Sequence, residues 1–379
     1  MHTQAYLFPH RLTRRDFLKL TGTAAAGLAA PGSVSAAEPP APVRIGSGPW
    51  TYTLDESWGK LPPGMHYGFG CGVVLDAKGR VYVTSRSTNP CVAIFDRDGT
   101  LLETWSNDFA EKVGYTTAQV ADTAHCLYWS QEGPDEFIYW TENVSTNKEG
   151  PKLGKRVYKT DLRGKILYEI GNVQQEGSTA QKFDWTNPTD VAVAPNGDIY
   201  VVDGYGSQRV SHFDKHFRHL RTIGRHTAKN QIGPDAPHGT FNTCHGIWIS
   251  TLHDEPEAYI ADRHNDRIEV FDLDLNYKRT LKGDVRNPCC LYQHAGHLYV
   301  PDLASRVTIF DGSDRAVAQL GDGKGVPNGS MGVKPDVAAQ NPDKFFAPHA
   351  MTVDARGDLY VVEWVSFGRP RKFRHTPMA

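Results

Sequence analysis

One pattern recurs six times between residue 70 and the end of the chain, and nothing else in the sequence restricts the fold so strongly. Each copy runs from a short apolar strand through a glycine-containing turn into a strand rich in Tyr and Val. A polar loop and a strand ending in Phe-Asp complete it. The clearest copies are 187–214 and 243–272, with a third at 287–311. Segments 70–96 and 347–364 fit with small changes, and 123–143 fits with a long insertion before Arg156-Val157-Tyr158. Alternating apolar and polar residues joined by Asn-Gly, Lys-Gly and Arg-Gly turns indicate antiparallel hairpins. Units of about 40 residues with four short strands each are propeller blades. The expected fold is therefore all-β, a six-bladed β-propeller. Its last unit runs out of chain one strand short, after Lys372-Phe373-Arg374, and Trp50–Leu54 is the candidate to close the ring and remove the open edge.

Composition agrees with that expectation: 36 Gly, 24 Pro and 11% aromatic residues suit many tight turns around a sizeable core. The N-terminus reads differently. Thr13-Arg14-Arg15-Asp16-Phe17-Leu18-Lys19 is a twin-arginine pattern, followed by a small-residue apolar stretch, Leu20 to Ala30, and by Val34-Ser35-Ala36, an A-x-A-like cleavage site. The stretch is too short and too rich in Ala and Gly to span a bilayer, which takes about 20 strongly apolar residues. The expected division is a signal peptide at 1–36, an N-terminal segment at 37–64 holding the ring-closing strand, and the propeller at 65–379. The expected location is periplasmic or secreted, the first partner is the twin-arginine export machinery, and no stable membrane span remains after cleavage.

Residues 1–36 carry Arg11, Arg14, Arg15 and Lys19 against the single acid Asp16, so the rest of the chain is more acidic than the overall charge of −2. That balance excludes the basic stripe of a nucleic-acid footprint. The short basic tail, Arg369–Arg374, reads as a solvated strand end. The six cysteines, 71, 91, 126, 244, 289 and 290, show no zinc-ribbon or thioredoxin spacing. In an exported protein they could pair, with a connectivity the sequence does not fix.

Aligning the six units by their first strand brings one column into register: Cys71, His125, Thr189, His245, Cys289, His349. The first strand of each blade lines the central channel, so these side chains are expected to circle the axis. Histidine stands in blades two, four and six, about 120° apart, and three imidazoles can converge there. Three neutral imidazoles with an open fourth position make a catalytic-type zinc site. Copper or nickel would also suit such donors. Cys71 and Cys289 read as small channel-lining residues, with soft ligation as the alternative. His212, His216, His219 and His226 read as surface residues.

The blade motifs resemble NHL-type propellers and, among them, peptidyl-α-hydroxyglycine α-amidating lyases. The resemblance runs from about residue 65 to the end and is carried by Asn187–Val193, Val202-Asp203-Gly204-Tyr205 through Arg209, Ala261-Asp262-Arg263 through Arg267, and Ala347-Pro348-His349. It implies zinc on His125, His245 and His349. It also implies substrate-binding roles for Tyr205, Arg263 and Arg86, with Tyr205 and Arg86 in catalysis. The implied reaction splits a peptide ending in α-hydroxyglycine into a peptide amide and glyoxylate. Metal-bound hydroxyl, phenol and guanidinium forks suit that chemistry. Asp203/Arg209, Asp262/Arg267 and Asp302/Arg306 recur from blade to blade and read as structural clasps.

The departures are specific. The family's calcium-binding Asp directly after the last zinc histidine is Ala350 here, which removes the support for calcium. Ala124 and Cys244 stand where proline usually precedes the first two histidines. The expected function is an exported metal-dependent lyase acting on a peptide or small-molecule substrate. The alternative is a non-catalytic NHL-type propeller that binds a peptide, protein or cell-wall ligand. A calcium-dependent lactonase would need an acidic axial ring, which the column above does not offer.

Overall fold

The computed structural model describes residues 41–143, 153–171 and 185–378, and the expected signal peptide lies outside them. Residues Pro42–Ala379 form one compact unit. Its strands make six separate antiparallel sheets. Blade 1 is Gly70–Leu75, Val81–Ser85, Val92–Phe95 and Leu101–Trp105, ordered from the axis outward, and the next four blades repeat the plan. Blade 6 is built from both ends of the chain: Pro348–Val353, Leu359–Glu363 and Arg371–His375 are followed by Tyr52–Asp55 and Arg44–Ile45. Tyr52 pairs with His375 and Asp55 with Lys372, so the N-terminal strand covers what would be an open edge. The fold is a six-bladed β-propeller. Among the described residues no helix is long and apolar enough to cross a membrane.

The repeat is explained by what packs between blades. The second strand of every blade carries one tyrosine, Tyr82, Tyr139, Tyr200, Tyr259, Tyr299 or Tyr360, and all six are buried. Each enters one of six apolar clusters that fill the seams between adjacent blades. The hydroxyls are not stranded: Tyr139 donates to Glu132 at 2.8 Å and Tyr259 to Asp314 at 2.7 Å. A buried phenol without such a partner would cost about 1–3 kcal/mol.

The inner strands are irregular where they matter. The pairing register shifts between Gly70 and Gly72, Ala124 and Leu127, Cys244 and Gly246, and Pro348 and Ala350. Each shift is a β-bulge, which re-aims a side chain out of the alternating pattern. The residues inside those four bulges include Cys71, His125, His245 and His349. Gly246 follows one of them because a Cβ there would lie 2.3 Å from the carbonyl oxygen of Cys289 on the next blade.

Candidate metal centre

The column predicted from sequence forms a ring. His125, His245 and His349 have exposures of 1%, 0% and 1%, and their ring centroids lie 4.9, 5.0 and 4.9 Å apart. One ligand atom from each falls within 4.8 Å of the others. The three other members of the column orient them. His125 Nδ1 lies 2.6 Å from the carbonyl oxygen of Thr189, His245 Nδ1 3.1 Å from that of Cys289, and His349 Nδ1 2.7 Å from that of Cys71. A carbonyl only accepts, so each Nδ1 is the protonated nitrogen and each Nε2 carries the lone pair. Every histidine is thus held by the ring residue of the next blade.

The lone pairs fit a metal ion. His125 Nε2 and His349 Nε2 are buried without a hydrogen-bond partner, a condition worth about 1–3 kcal/mol of instability per group unless something fills it. Burial, with the charge of neighbouring groups including Arg86 and Arg263, holds His125 and His245 well below the usual imidazole range, so both are neutral ligands near pH 7. Backbone carbonyls behind the ligating imidazoles are the usual outer partners of metal-bound histidine. Three nitrogens leave a coordination position open.

A second ring lies on the same end of the channel. In five blades the residue just beyond the second strand, and in blade 3 Tyr205, three residues beyond Val202, donates its amide to the carbonyl two positions before the ring residue of its own blade. The pairs are Arg86 to Phe69 (2.9 Å), Asn143 to Thr123 (2.9 Å), Tyr205 to Asn187 (3.4 Å), Arg263 to Thr243 (2.9 Å), Leu303 to Asn287 (2.9 Å) and Trp364 to Ala347 (2.7 Å). Arg263 and Arg86 therefore occupy equivalent positions in blades 4 and 1, and Tyr205, one residue further along its loop after Gly204, makes the same backbone bond in blade 3. Asn143, Leu303 and Trp364 complete the ring. The sequence holds the signal for these three, because the alignment that found the histidines, carried one strand further, reaches them.

Tyr205 and Arg263 come together. The phenol oxygen of Tyr205 lies 3.1 Å from His245 Nε2 and accepts from Arg263 Nη1 at 2.9 Å. Burial pushes the phenol up to about 12, while Arg263 pulls in the opposite direction. The loop is pinned by Asp203, which takes the Asn187 amide at 2.7 Å and the Ser207 hydroxyl at 2.7 Å. Gly204 allows the loop to lie against blade 4, since a Cβ there would sit 2.0 Å from the carbonyl oxygen of Cys244. Arg86 is separate from this pair. Its Nη2 donates to the carbonyl and side-chain oxygens of Asn143 at 3.2 and 3.1 Å, and its guanidinium lies 5.0 Å from the ring centroid of Trp364. Trp364 in turn stacks on His349, centroids 5.1 Å apart. The Nε atoms of Arg86 and Arg263 are buried without partners.

Three sequence expectations need correction. The basic tail is not a solvated strand end: Arg371 and Lys372 are buried, and Lys372 Nζ donates to the Arg97 carbonyl at 2.7 Å and lies 3.1 Å from Asp358. His212 is buried, stacked on Tyr200 at 4.4 Å and bonded to Asp198 at 2.9 Å. The clasp forms in blades 4 and 5, Arg267 to Asp262 at 2.9 Å and Arg306 to Asp302 at 3.0 Å. In blade 3 Ser207 takes the place of Arg209, which is exposed. All six cysteines are free thiols. Cys71 donates to the Ala124 carbonyl at 3.3 Å, and Cys289 Sγ lies 3.4 Å from His245 Nδ1 and 3.8 Å from its Nε2, with ligand atoms of His245, Cys289 and Cys290 within 4.8 Å of one another. Ala350 is buried and offers no carboxylate beneath the histidines.

Comparison with known proteins gives the same family background. The NHL repeat model matches residues 186–213. The human NHL repeat-containing protein 3 is 29% identical over 226 residues, covering 59% of this chain and 57% of that protein. Peptidyl-alpha-hydroxyglycine alpha-amidating lyase 1 of Drosophila melanogaster is 28% identical over 225 residues, covering 57% of this chain and 39% of that one. The chain thus spans about half the length of the curated relatives it matches. A streptogramin B lyase structure superposes with a TM-score of 0.52 at 14% identity, covering 86% of this chain and 98% of the other, a likeness of fold. The chain is a six-bladed β-propeller with an NHL repeat, distantly related in sequence to the peptidyl-α-hydroxyglycine amidating lyases.

Proposed function

We propose that this protein is an exported, metal-dependent lyase that cleaves the C–N bond of a peptide, or a related small amide, ending in α-hydroxyglycine, releasing the amide and glyoxylate. The observation that carries it is the set of three imidazoles with Nδ1 anchored and Nε2 turned inward, beside a phenol and a guanidinium in mutual contact. The names of the distant relatives point to the same reaction class. Zinc is the preferred ion for three neutral nitrogens and an open position. When bound, it would supply Lewis acidity that lowers the pKa of the substrate hydroxyl.

The chain's own groups have complementary parts. Arg86 and Arg263 stand on opposite blades, each with an Nε free to donate, and hold the substrate carboxylate through charge-assisted hydrogen bonds. Tyr205 Oη, already bonded to Arg263 and facing the histidines, carries its own proton near pH 7. It gives that proton to the departing amide nitrogen as it takes the proton of the substrate hydroxyl, so the phenol is regenerated and the reaction needs no net proton. Trp364 and Leu303 wall the side of the second ring that lacks charge. The experiment is turnover of α-hydroxyhippurate by zinc-loaded protein with glyoxylate as the readout: product that disappears with chelator supports the lyase, and no product overturns it.

The broad match to the NHL repeat-containing protein 3 favours a second reading, a propeller that binds a peptide, protein or cell-wall ligand without catalysis. Binding of that kind persists in chelator. The twin-arginine pattern at residues 13–19 supports export, and replacing Arg14 and Arg15 by lysine should retain the protein in the cytoplasm.

A further inference from the structure

One residue beyond the ring column lies a third layer of the channel: Gly72, Cys126, Asp190, Gly246, Cys290 and Ala350. Two of its members, on the opposed blades 2 and 5, meet beneath the histidines. Cys126 Sγ and Cys290 Sγ are 3.3 Å apart, both buried and both free thiols. With His349 they form a second group whose ligand atoms all lie within 4.8 Å of one another. Asp190 and Ala350 share this layer, and Asp190 is the only acid in it. Its carboxylate accepts from the amides of Val191 and Ile247 at 2.9 and 3.1 Å, which fixes a negative charge beside the two sulfurs when it is ionised.

The layer also has its own approach. A cavity of about 750 Å³ reaches it from the far end of the channel, lined among others by Cys290, Asp190, Ala350, Tyr128, Trp248 and Tyr292. The three histidines do not line that cavity. An ion arriving through it meets the sulfur of Cys290 before it meets the imidazole nitrogens of the upper site.

We propose that Cys126, Cys290 and His349 form a second, soft-metal position directly below the three-histidine position, and that the two exclude each other. The donor set is two sulfurs and one nitrogen, which selects ions such as Cu(I), Cd(II) or Hg(II) over harder ones. Each ligating thiol gives up its proton to solvent, and two thiolates neutralise a divalent ion where the nitrogen site does not. Exclusion follows from His349. Its Nδ1 donates to the Cys71 carbonyl at 2.7 Å, and Nε2 is its one nitrogen without a partner, so it serves one ion at a time. The lower position rests on the sulfurs, whereas exclusion rests on the upper site proposed above.

Cadmium is the probe, added to the full-length protein and followed by the ultraviolet sulfur-to-cadmium charge-transfer band. The expected result is one equivalent bound with that band, and release of one equivalent of zinc from zinc-loaded protein. The band disappears in Cys126→Ser/Cys290→Ser and, as a check on folding, in the single Cys290→Ala variant. It persists in His125→Ala/His245→Ala, which dismantles the upper site but leaves the lower donors. No band in the wild type, a band unchanged in the cysteine variants, or an intact mass two hydrogens low from a Cys126–Cys290 disulfide would overturn the lower position. Cadmium and zinc bound together would overturn exclusion. A band in protein that binds no zinc would leave the lower position standing and sink only the upper one.

Discussion

Even and odd blades do different work with the same column. Blades 2, 4 and 6 put an imidazole at the axis, and blades 6, 2 and 4 are each backed by the carbonyl of blades 1, 3 and 5. The even position depends on side-chain identity, because only a histidine offers a neutral nitrogen at that reach. The odd position depends on backbone placement, because any residue has a carbonyl. Cys71, Thr189 and Cys289 can therefore differ in chemistry while doing one job. Their side chains add a smaller service: Thr189 Oγ1 donates to the Cys244 carbonyl at 3.0 Å and Cys71 Sγ to that of Ala124 at 3.3 Å, each just before an even-blade histidine. A three-fold pattern is thus laid over a six-fold scaffold.

The largest effect should come from breaking the even set. His349→Ala is expected to weaken zinc binding by more than the ~10–100-fold typical of losing an outer partner, as read by competition with a chromophoric chelator. Next comes Tyr205→Phe, which keeps the ring and the metal but removes the phenol. Turnover of α-hydroxyhippurate should fall by about 10²–10⁴-fold, the usual range for general acid–base groups, with zinc content unchanged. Arg263→Ala should raise KM by about 10–100-fold through loss of charge-assisted hydrogen bonds to the carboxylate.

The buried imidazoles also set a pH dependence. His125 and His245 are held neutral in the folded state, well below the 6.5 of a free histidine. The unfolded chain therefore takes up more protons as pH falls, and the metal-free protein loses stability below about 6.5 with a slope approaching about 1.4 kcal/mol per pH unit for each group. Urea unfolding at several pH values checks this, and His125→Gln should show the shallower slope. The smallest effect belongs to the odd set. Thr189→Val keeps the carbonyl that holds His125 but loses the hydroxyl's bonds to the Cys244 carbonyl and from the Gly204 amide, so zinc affinity should stay within a few-fold while stability drops by about 1–3 kcal/mol.

The six blades and the axial histidines were legible in the sequence because both are periodic. One column, aligned once, yields them. Asn143, Leu303 and Trp364 were missed although they are just as periodic, since their column lies beyond the second strand and its residues share no chemistry. The backbone bond that each makes is what marks them as a ring. The contact between Cys126 and Cys290 was not legible because it joins opposed blades, and strand patterns speak only of neighbours. The Asp/Arg clasp failed in blade 3 for a local reason. Arg209 stands further along the chain from Asp203 than Arg267 from Asp262 or Arg306 from Asp302, and the longer loop brings Ser207 to the carboxylate first. His212 was placed at the surface because it sits on an outward strand, but its ring covers Tyr200 instead.

Elemental analysis of the purified protein tests the metal centre most directly. The wild type should carry one equivalent of zinc, lost when His125, His245 and His349 are all changed to alanine and reduced when any one of them is. No stoichiometric metal in the zinc-exposed wild type, or the same zinc content in the triple variant, would contradict the assignment of the axial ring as a metal site.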